Sequence, residues 1–265
     1  MEKQSFDKYR LLERGIFIQQ MTSPERILQL IGKLRPLRTW HELVRLGGEG
    51  DGGYLVPLDL KDIAVCFSPG VDTNASFEID LLRRFGINSH LADHSVDGPP
   101  MGFRSSSFLK KFVGSHDSDM FITLDSWMEQ QAEHSGKQDF LLQMDIEGSE
   151  YKTLLAASDR NLRRFRIILV EIHNVEHWCD PVFFDLVEAM FAKLLKHFYV
   201  VHNHPNNCCG LVNMGGIMAP RVFELTLLRR DRVFPAGFQN FFPHPLDRPN
   251  LPDRPDLVLP PAWHM

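Results

Sequence analysis

Four cysteines in 265 residues, at 66, 179, 208 and 209, are too few for a disulfide framework, and two of them are adjacent. No apolar run approaches the ~20 residues that a membrane-spanning helix needs. The first residues, MEKQSFDKYRLLERG, are charged throughout and lack the apolar core of a signal peptide. A reduced cytoplasm is therefore the expected location. Basic residues are not in excess: Lys plus Arg is 29 against 34 for Asp plus Glu, a net charge of −5. The chain has no overall pull toward nucleic acid or an anionic membrane, and neither is expected as a partner. No GxGxxG stands in the sequence, which disfavours a nicotinamide dehydrogenase, and no internal repeat is present. What is there is ordinary for a globular fold, with 43% hydrophobic and 24% charged residues.

The pattern along the chain divides it into three parts, with boundaries at 1–42, 43–234 and 235–265. The first part reads as a helical appendage. Thr22 and Glu25 sit at capping-box spacing around Pro24, and Pro36 ends the helix. Such amphipathic helices could serve as a homodimer surface or a lid, and the sequence does not choose. The second part opens with RLGGEGDGGYLVPL at 45–58, a glycine-rich turn leading into a short strand. Strands and helices then alternate. The predicted strands are Ile63–Phe67, Asn88–Ala92, a stretch near Phe108–Val113, Phe140–Met144, Ile167–Val170, Phe198–Val201 and Val222–Leu228. Asn74 is placed as a helix cap with Gly86 as its stop, Asp125 or Ser126 caps a later helix, and Asp180-Pro181 opens another. This alternation predicts an α/β fold, a Rossmann-like, doubly wound and mostly parallel sheet. The last part holds eight of the 17 prolines, too many for regular helix or central strand, and reads as a surface strap or a loose tail.

In such sheets ligands bind beyond the C-terminal ends of the strands, where strand order reverses. The first strand runs into Ser68-Pro69-Gly70 and a helix start, a place suited to an anionic group or a close backbone approach. The second strand ends at Asp93, which can accept from a ribose diol. Asp93 follows Gly70 at close to the ~20 residues expected of nucleotide-binding units. Three later strand ends carry Asp145 and Glu147, Glu171 and His173, and His202, Asn203, His204, Asn206 and Asn207. If the sheet is parallel, these groups share one rim, where they could position a base or hold a divalent metal. The tentative metal set is Asp145, Glu171 and His173. A zinc site from His173, His177 and Cys208-Cys209 is disfavoured by the lack of a CxxC pair. Tyr54, Trp127 and Trp178 are candidates for a sugar-stacking surface or for core.

Several segments together resemble the FkbM-type S-adenosylmethionine-dependent methyltransferases. They are GDGGY at 50–54, FSPGVDTNASFEIDL at 67–81, ITLDSW at 122–127, MDIEGSEYKTL at 144–154, VEIH at 170–173, VHNHPNN at 201–207 and the tail's HPLDRPNLPDRPDL. The resemblance covers roughly residues 43–260. It implies a class I methyltransferase fold, S-adenosylmethionine as cofactor and transfer to a hydroxyl oxygen of a sugar, glycan or secondary metabolite. It also implies that Asp51, Gly52, Gly53, Tyr54, Ser68, Gly70, Asn74, Asp93, Glu147 and Gly148 contact the cofactor. Pro69 departs from the glycine-rich first loop of many methyltransferases and removes a donor there. Asp145, Glu171, His173 and His202 are the expected catalytic groups, with or without magnesium or manganese. A metal-dependent hydrolase using the same acidic rim, or a silent nucleotide-binding protein, is the competing reading.

Overall fold

The apolar runs form strands and the 3.6-periodic segments form helices in a computed structural model, which describes residues 8–100, 103, 107–131 and 139–264. The expectations for residues 1–7 and for Met265 lie outside the described residues. Two helices come first, α1 (Lys8–Glu13) and α2 (Pro24–Lys33). Ser23, not Thr22, caps α2, accepting from the Arg26 amide, and the helix stops at Lys33 ahead of Pro36. Thr22 is buried instead. A hairpin follows, β1 (Leu43–Leu46) and β2 (Tyr54–Pro57), joined by the glycine-rich turn.

Next come β3 (Ile63–Pro69), α3 (Ser76–Phe85) and β4 (Asn88–Ala92). Gly86 ends α3 in the left-handed region, as its missing side chain allows. The stretch near 108–113 is two strands, β5 (Ser107–Leu109) and β6 (Phe112–Gly114), because each pairs with a different partner. Beyond lie β7 (Phe121–Thr123), α4 (Leu124–Gln131) and β8 (Asp139–Met144). The chain continues through α5 (Glu150–Ala156), α6 (Asp159–Leu162), β9 (Phe165–Ile172) and α7 (Pro181–His197). Asp180 caps α7 with Pro181 in its first turn, as expected. Last are β10 (Phe198–Pro205), β11 (Leu211–Met214), β12 (Ile217–Pro220) and β13 (Phe223–Arg229).

The central sheet has seven strands in the order β10-β13-β9-β8-β3-β4-β5. Pairing is parallel from β9 to β5, while β13 runs antiparallel between β9 and β10. The order reverses between β3 and β8, so their C-terminal ends flank the switch point. Both faces are covered. Phe67, Phe140, Leu142, Ile168 and Val170 pack with Trp127, Leu154, Phe184 and Phe191 on one face. Cys66, Leu141, Ile167 and Leu169 pack with Tyr54, Phe77 and Leu81 on the other. All eight residues of β9 are buried, which is why its sequence is a continuous apolar run rather than an alternating one.

Two expectations about strand ends need correcting. Glu171 lies inside β9, and His202 and His204 lie inside β10, because pairing with β13 extends both strands. The C-terminal segment is ordered against the sheet: Asp247, Asn250, Leu259 and Trp263 are buried. Among the described residues no helix is long and apolar enough to cross a membrane.

Candidate functional site

A cleft of about 510 Å³ opens at the switch point. Its wall is built from five pieces of chain: the glycine-rich turn, the β3–α3 loop, the end of β4, the β6–β7 pair and the β8–α5 loop. Of the expected cofactor contacts, Asp51, Gly52, Tyr54, Gly70, Asn74, Asp93 and Glu147 line it, and so does Asp145. Ser68, Gly53 and Gly148 do not. Its charged lining is entirely acidic, with Asp51, Asp72, Glu78, Asp93, Asp145 and Glu147 and neither Lys nor Arg among the described lining residues.

Gly70 is required by backbone packing. Its φ is +81°, and a Cβ there would stand 1.6 Å from the Asp145 carbonyl oxygen. The loops after β3 and β8 therefore touch backbone to backbone, and glycine serves that contact rather than only a ligand's approach. Gly52 has φ +76°, and a Cβ would meet the Asn74 side chain at 2.4 Å. Asn74 in turn donates to the Asp51 carbonyl and accepts from the Ser76 amide at the start of α3, so it locks the turn onto the helix. Asp93 is buried; one carboxylate oxygen accepts from the Asp72 amide at 2.9 Å, the other from the amide and hydroxyl of Ser95. Oδ1 thus has both acceptor sites used, and Oδ2 keeps one free.

Ser68 is fully buried beneath the floor, which is why it misses the cleft. Its hydroxyl lies 2.5 Å from Glu78 Oε1 and 2.7 Å from Gln143 Oε1, and Gln143 Nε2 donates to the Tyr54 hydroxyl at 3.2 Å. Ser68 has one proton to give. With the Gln143 amide so oriented, Glu78 must donate its own, and so carries a neutral acid. Burial pushes the Glu78 carboxyl up to about 7, with the Ser68 hydrogen bond pulling the other way. Glu78 carried no mark in the sequence beyond its place one turn into a helix.

The sign of its pH effect follows. An unfolded glutamate titrates near ~4.3, so between there and about 7 the unfolded chain gives up a proton that the folded chain keeps. The stability from the neutral acid is complete below pH ~4.3 and fades as pH rises through about 7. Urea unfolding should show Glu78→Gln gaining on wild type by about 3 kcal/mol from pH 4.5 to pH 8. Parallel pH curves for the two proteins would refute a buried neutral acid.

Asp145, Glu171 and His173 do converge: one ligand atom from each lies within 4.8 Å of the others. Glu150 organises them. Its buried Oε1 accepts from the Ile146 and Gly148 amides, both at 3.1 Å, and stands 3.1 Å from His173 Nδ1. The carboxylate fixes Nδ1 as the donor, which leaves His173 Nε2 facing Asp145 at 3.7 Å and Glu147 at 3.6 Å. Glu171 is held by Asn206, whose Nδ2 donates to Oε1 at 2.7 Å. Burial lifts Asp145 to about 7, with His173 drawing it down and Glu147 pushing it up. Burial, then the charges of Asp145 and Glu224, lifts Glu171 well above the usual range. Burial lowers His173, but the Glu150 hydrogen bond and charge outweigh it and raise it.

The structure separates His202 from this group. It neither lines the cleft nor joins the cluster; Nε2 faces Asp247 of the C-terminal segment at 3.0 Å. His204 is 3.3 Å from Asp256 and 3.7 Å from Glu224, which stands beside Glu171 in the sheet register. Burial depresses His204, but Asp256 and Glu224 raise it to about 10, so it is a cation. The VHNHPNN run thus anchors the C-terminal segment, and only Asn206 reaches the site. His177 and the cysteines stay out of the cluster, and Trp127 and Trp178 are fully buried core.

Residues 80–201 match the family model described as the methyltransferase FkbM domain. Over that span, less than half of the chain, it is similar to FkbM methyltransferase domains. The FkbM match covers Asp93, Asp145, Glu147, Glu171 and His173, and stops short of the glycine-rich turn, Gly70 and His202. No curated protein gives a significant match. Among solved structures, the chain is similar to Streptococcus pneumoniae Sp1610, a putative tRNA (m1A22) methyltransferase. The likeness is 12% identity over 70% of this chain and 69% of that one, with a TM-score of 0.35. Sp1610 in complex with S-adenosyl-L-methionine gives 11% identity over 70% and 72%, TM-score 0.34. The antibiotic-resistance methyltransferase Kmr gives 13% identity over 71% and 100%, TM-score 0.30. Likenesses at these scores say nothing of a substrate.

Proposed function

We propose that the protein transfers the methyl group of S-adenosylmethionine to a hydroxyl oxygen of a neutral acceptor such as a sugar, glycan or secondary metabolite. The observation that carries this is the cleft at the sheet's switch point, whose charged lining residues are all acids and include Asp145. Asp93 is the group that would accept from the ribose diol. Val71, Phe112, Val113, Phe121 and Ile146 offer an apolar slot for the adenine, and the remaining carboxylates suit a ligand carrying a sulfonium and an ammonium. An anionic acceptor such as a nucleic-acid backbone would meet repulsion at this mouth.

The cofactor supplies an electrophilic methyl, so the chain must align the acceptor and remove one proton. Asp145 takes that proton from the attacking hydroxyl. A carboxylate raised to about 7 is matched to the task near neutral pH. His173, oriented by Glu150, faces Asp145 through Nε2 and holds the carboxylate in position before it takes the proton. Glu171, braced by Asn206, completes the wall.

A second use of the same groups has its own support. Asp145 Oδ1 is buried without a hydrogen-bond partner. The other faces of His173 and Glu171 are held by Glu150 and Asn206, the outer-shell arrangement usual for metal ligands. In this reading the three residues would hold magnesium or manganese, which would supply a Lewis acid beside the acceptor hydroxyl.

Calorimetric titration with S-adenosylmethionine and with NAD should show binding of the first alone, weakened at least ~10-fold in Asp93→Ala. A panel of hydroxylated acceptors should then take up labelled methyl. Binding without transfer to any acceptor would favour the silent protein, and no binding would end the proposal. Manganese titration followed by electron paramagnetic resonance decides the metal: a site lost in Asp145→Asn supports it, and no site leaves the base alone.

A further inference from the structure

Immediately after β10 stand Cys208 and Cys209, with sulfurs 2.8 Å apart and Cys209 exposed. Backbone and side chains around them are fully used. The Cys208 amide donates to Asn206 Oδ1 at 2.8 Å, and the same Asn206 donates to Glu171. The Cys208 carbonyl accepts from Arg254 at 2.5 Å. Asn207 donates to the carbonyls of Leu251, Arg254 and Pro255, and its Oδ1 accepts from the Leu251 amide at 2.8 Å. One turn of chain thus ties the C-terminal segment to the brace of Glu171.

We propose that Cys208 and Cys209 form a site for modification by hydrogen peroxide, closing reversibly to a vicinal disulfide that loosens the tie to the C-terminal segment. The exposed Cys209 reacts first. Its thiolate attacks the peroxide; an S–O bond forms, the O–O bond breaks and one water leaves. The Cys208 sulfur then attacks the Cys209 sulfenic acid; the S–S bond forms, the S–O bond breaks and a second water carries off the remaining thiol proton. Two thiols are oxidised and one peroxide is reduced to two waters. Burial, and then the neighbouring sulfur, holds the Cys208 thiol above its ordinary range, so it waits in the protonated form until its partner is oxidised.

The ring that closes contains the peptide bond between the two residues. Adjacent Cα atoms are ~3.8 Å apart across a trans peptide, short of the ~4.4–6.8 Å usual for a disulfide. Closure must therefore turn that peptide. The Cys208 carbonyl belongs to that peptide and cannot keep its bond to Arg254. Strain of this kind also makes the disulfide easy to reduce, as a reversible modification requires.

The full-length chain is treated with hydrogen peroxide and its intact mass measured before and after dithiothreitol. The expected result is loss of the mass of two hydrogens, restored by reductant, mapped to the peptide containing 208–209 and absent from Cys209→Ser. Added oxygens retained on Cys209, with Cys208 still open to alkylation, would overturn the site, as would no mass change. Amide hydrogen exchange over residues 247–258 reads the coupling. Exchange there should quicken several-fold in the oxidised chain and stay unchanged by peroxide in Cys208→Ser. An equal rate with the disulfide formed would overturn the coupling.

Discussion

Asp145→Asn is expected to lower methyl transfer by ~10²–10⁴-fold while leaving S-adenosylmethionine affinity within a few-fold. The substitution keeps the shape of the side chain and removes its ability to take a proton. Asp145 sits at the point where the cofactor cleft and the Asp145–Glu171–His173 group overlap, since it lines the first and belongs to the second. A second effect separates a catalytic from a structural role. Burial, with the charge of Glu147 added, lifts the wild-type carboxylate to about 7, although His173 and a hydrogen bond with Glu171 draw it down. A raised acid loses stability as pH climbs through that value. The asparagine protein should therefore be more stable than wild type above pH 7 and nearly equal to it at pH 4, by thermal unfolding. Less active and more stable is the signature of a group kept for chemistry. Wild-type turnover, or a protein destabilised at every pH, would contradict the role.

Gly70→Ala should have the largest effect on folding. The added carbon would stand 1.6 Å from the Asp145 carbonyl oxygen, on a backbone with φ +81°. The left-handed conformation alone costs a non-glycine residue ~1–2 kcal/mol. The clash is with main chain at the crossing of two loops, so no side-chain rotation relieves it. We expect a loss of ~4 kcal/mol or more, among the rare severe single substitutions, seen as a collapse of the unfolding midpoint or of soluble yield. Whatever folds should bind S-adenosylmethionine poorly, because the loop after β8 must shift to admit the methyl group. An alanine protein melting within a degree or two of wild type would mean that the two loops do not hold each other.

These two positions also show how far the residues could be read in line. Gly70 and Asp145 were both marked by their place after apolar strands, and both line the cleft. Asp93 was legible for the same reason, whereas the turn at 51–54 was marked by the resemblance to FkbM-type methyltransferases. The strand ends of a parallel sheet point to one side, so linear position translates directly into a rim. Gly86 and Asp180-Pro181 were legible because caps are local chemistry. Ser68 was misplaced because alternation along β3 turns its side chain beneath the cleft, toward Glu78 and Gln143. His202 was misplaced because β13 inserts antiparallel between β9 and β10, which moves the last rim group one strand further out.

The sequence by itself determined the alternation of strands and helices and which strand ends carry acids, while the place of the switch point came from the sheet order. Those properties rest on periodicity and on neighbours within one turn. Only the tertiary structure decided that Glu150 orients His173, that Asn206 braces Glu171, and that Glu78 is a neutral acid under the floor. Each depends on a contact between residues distant in the chain, and on the exclusion of water there, which no local pattern encodes.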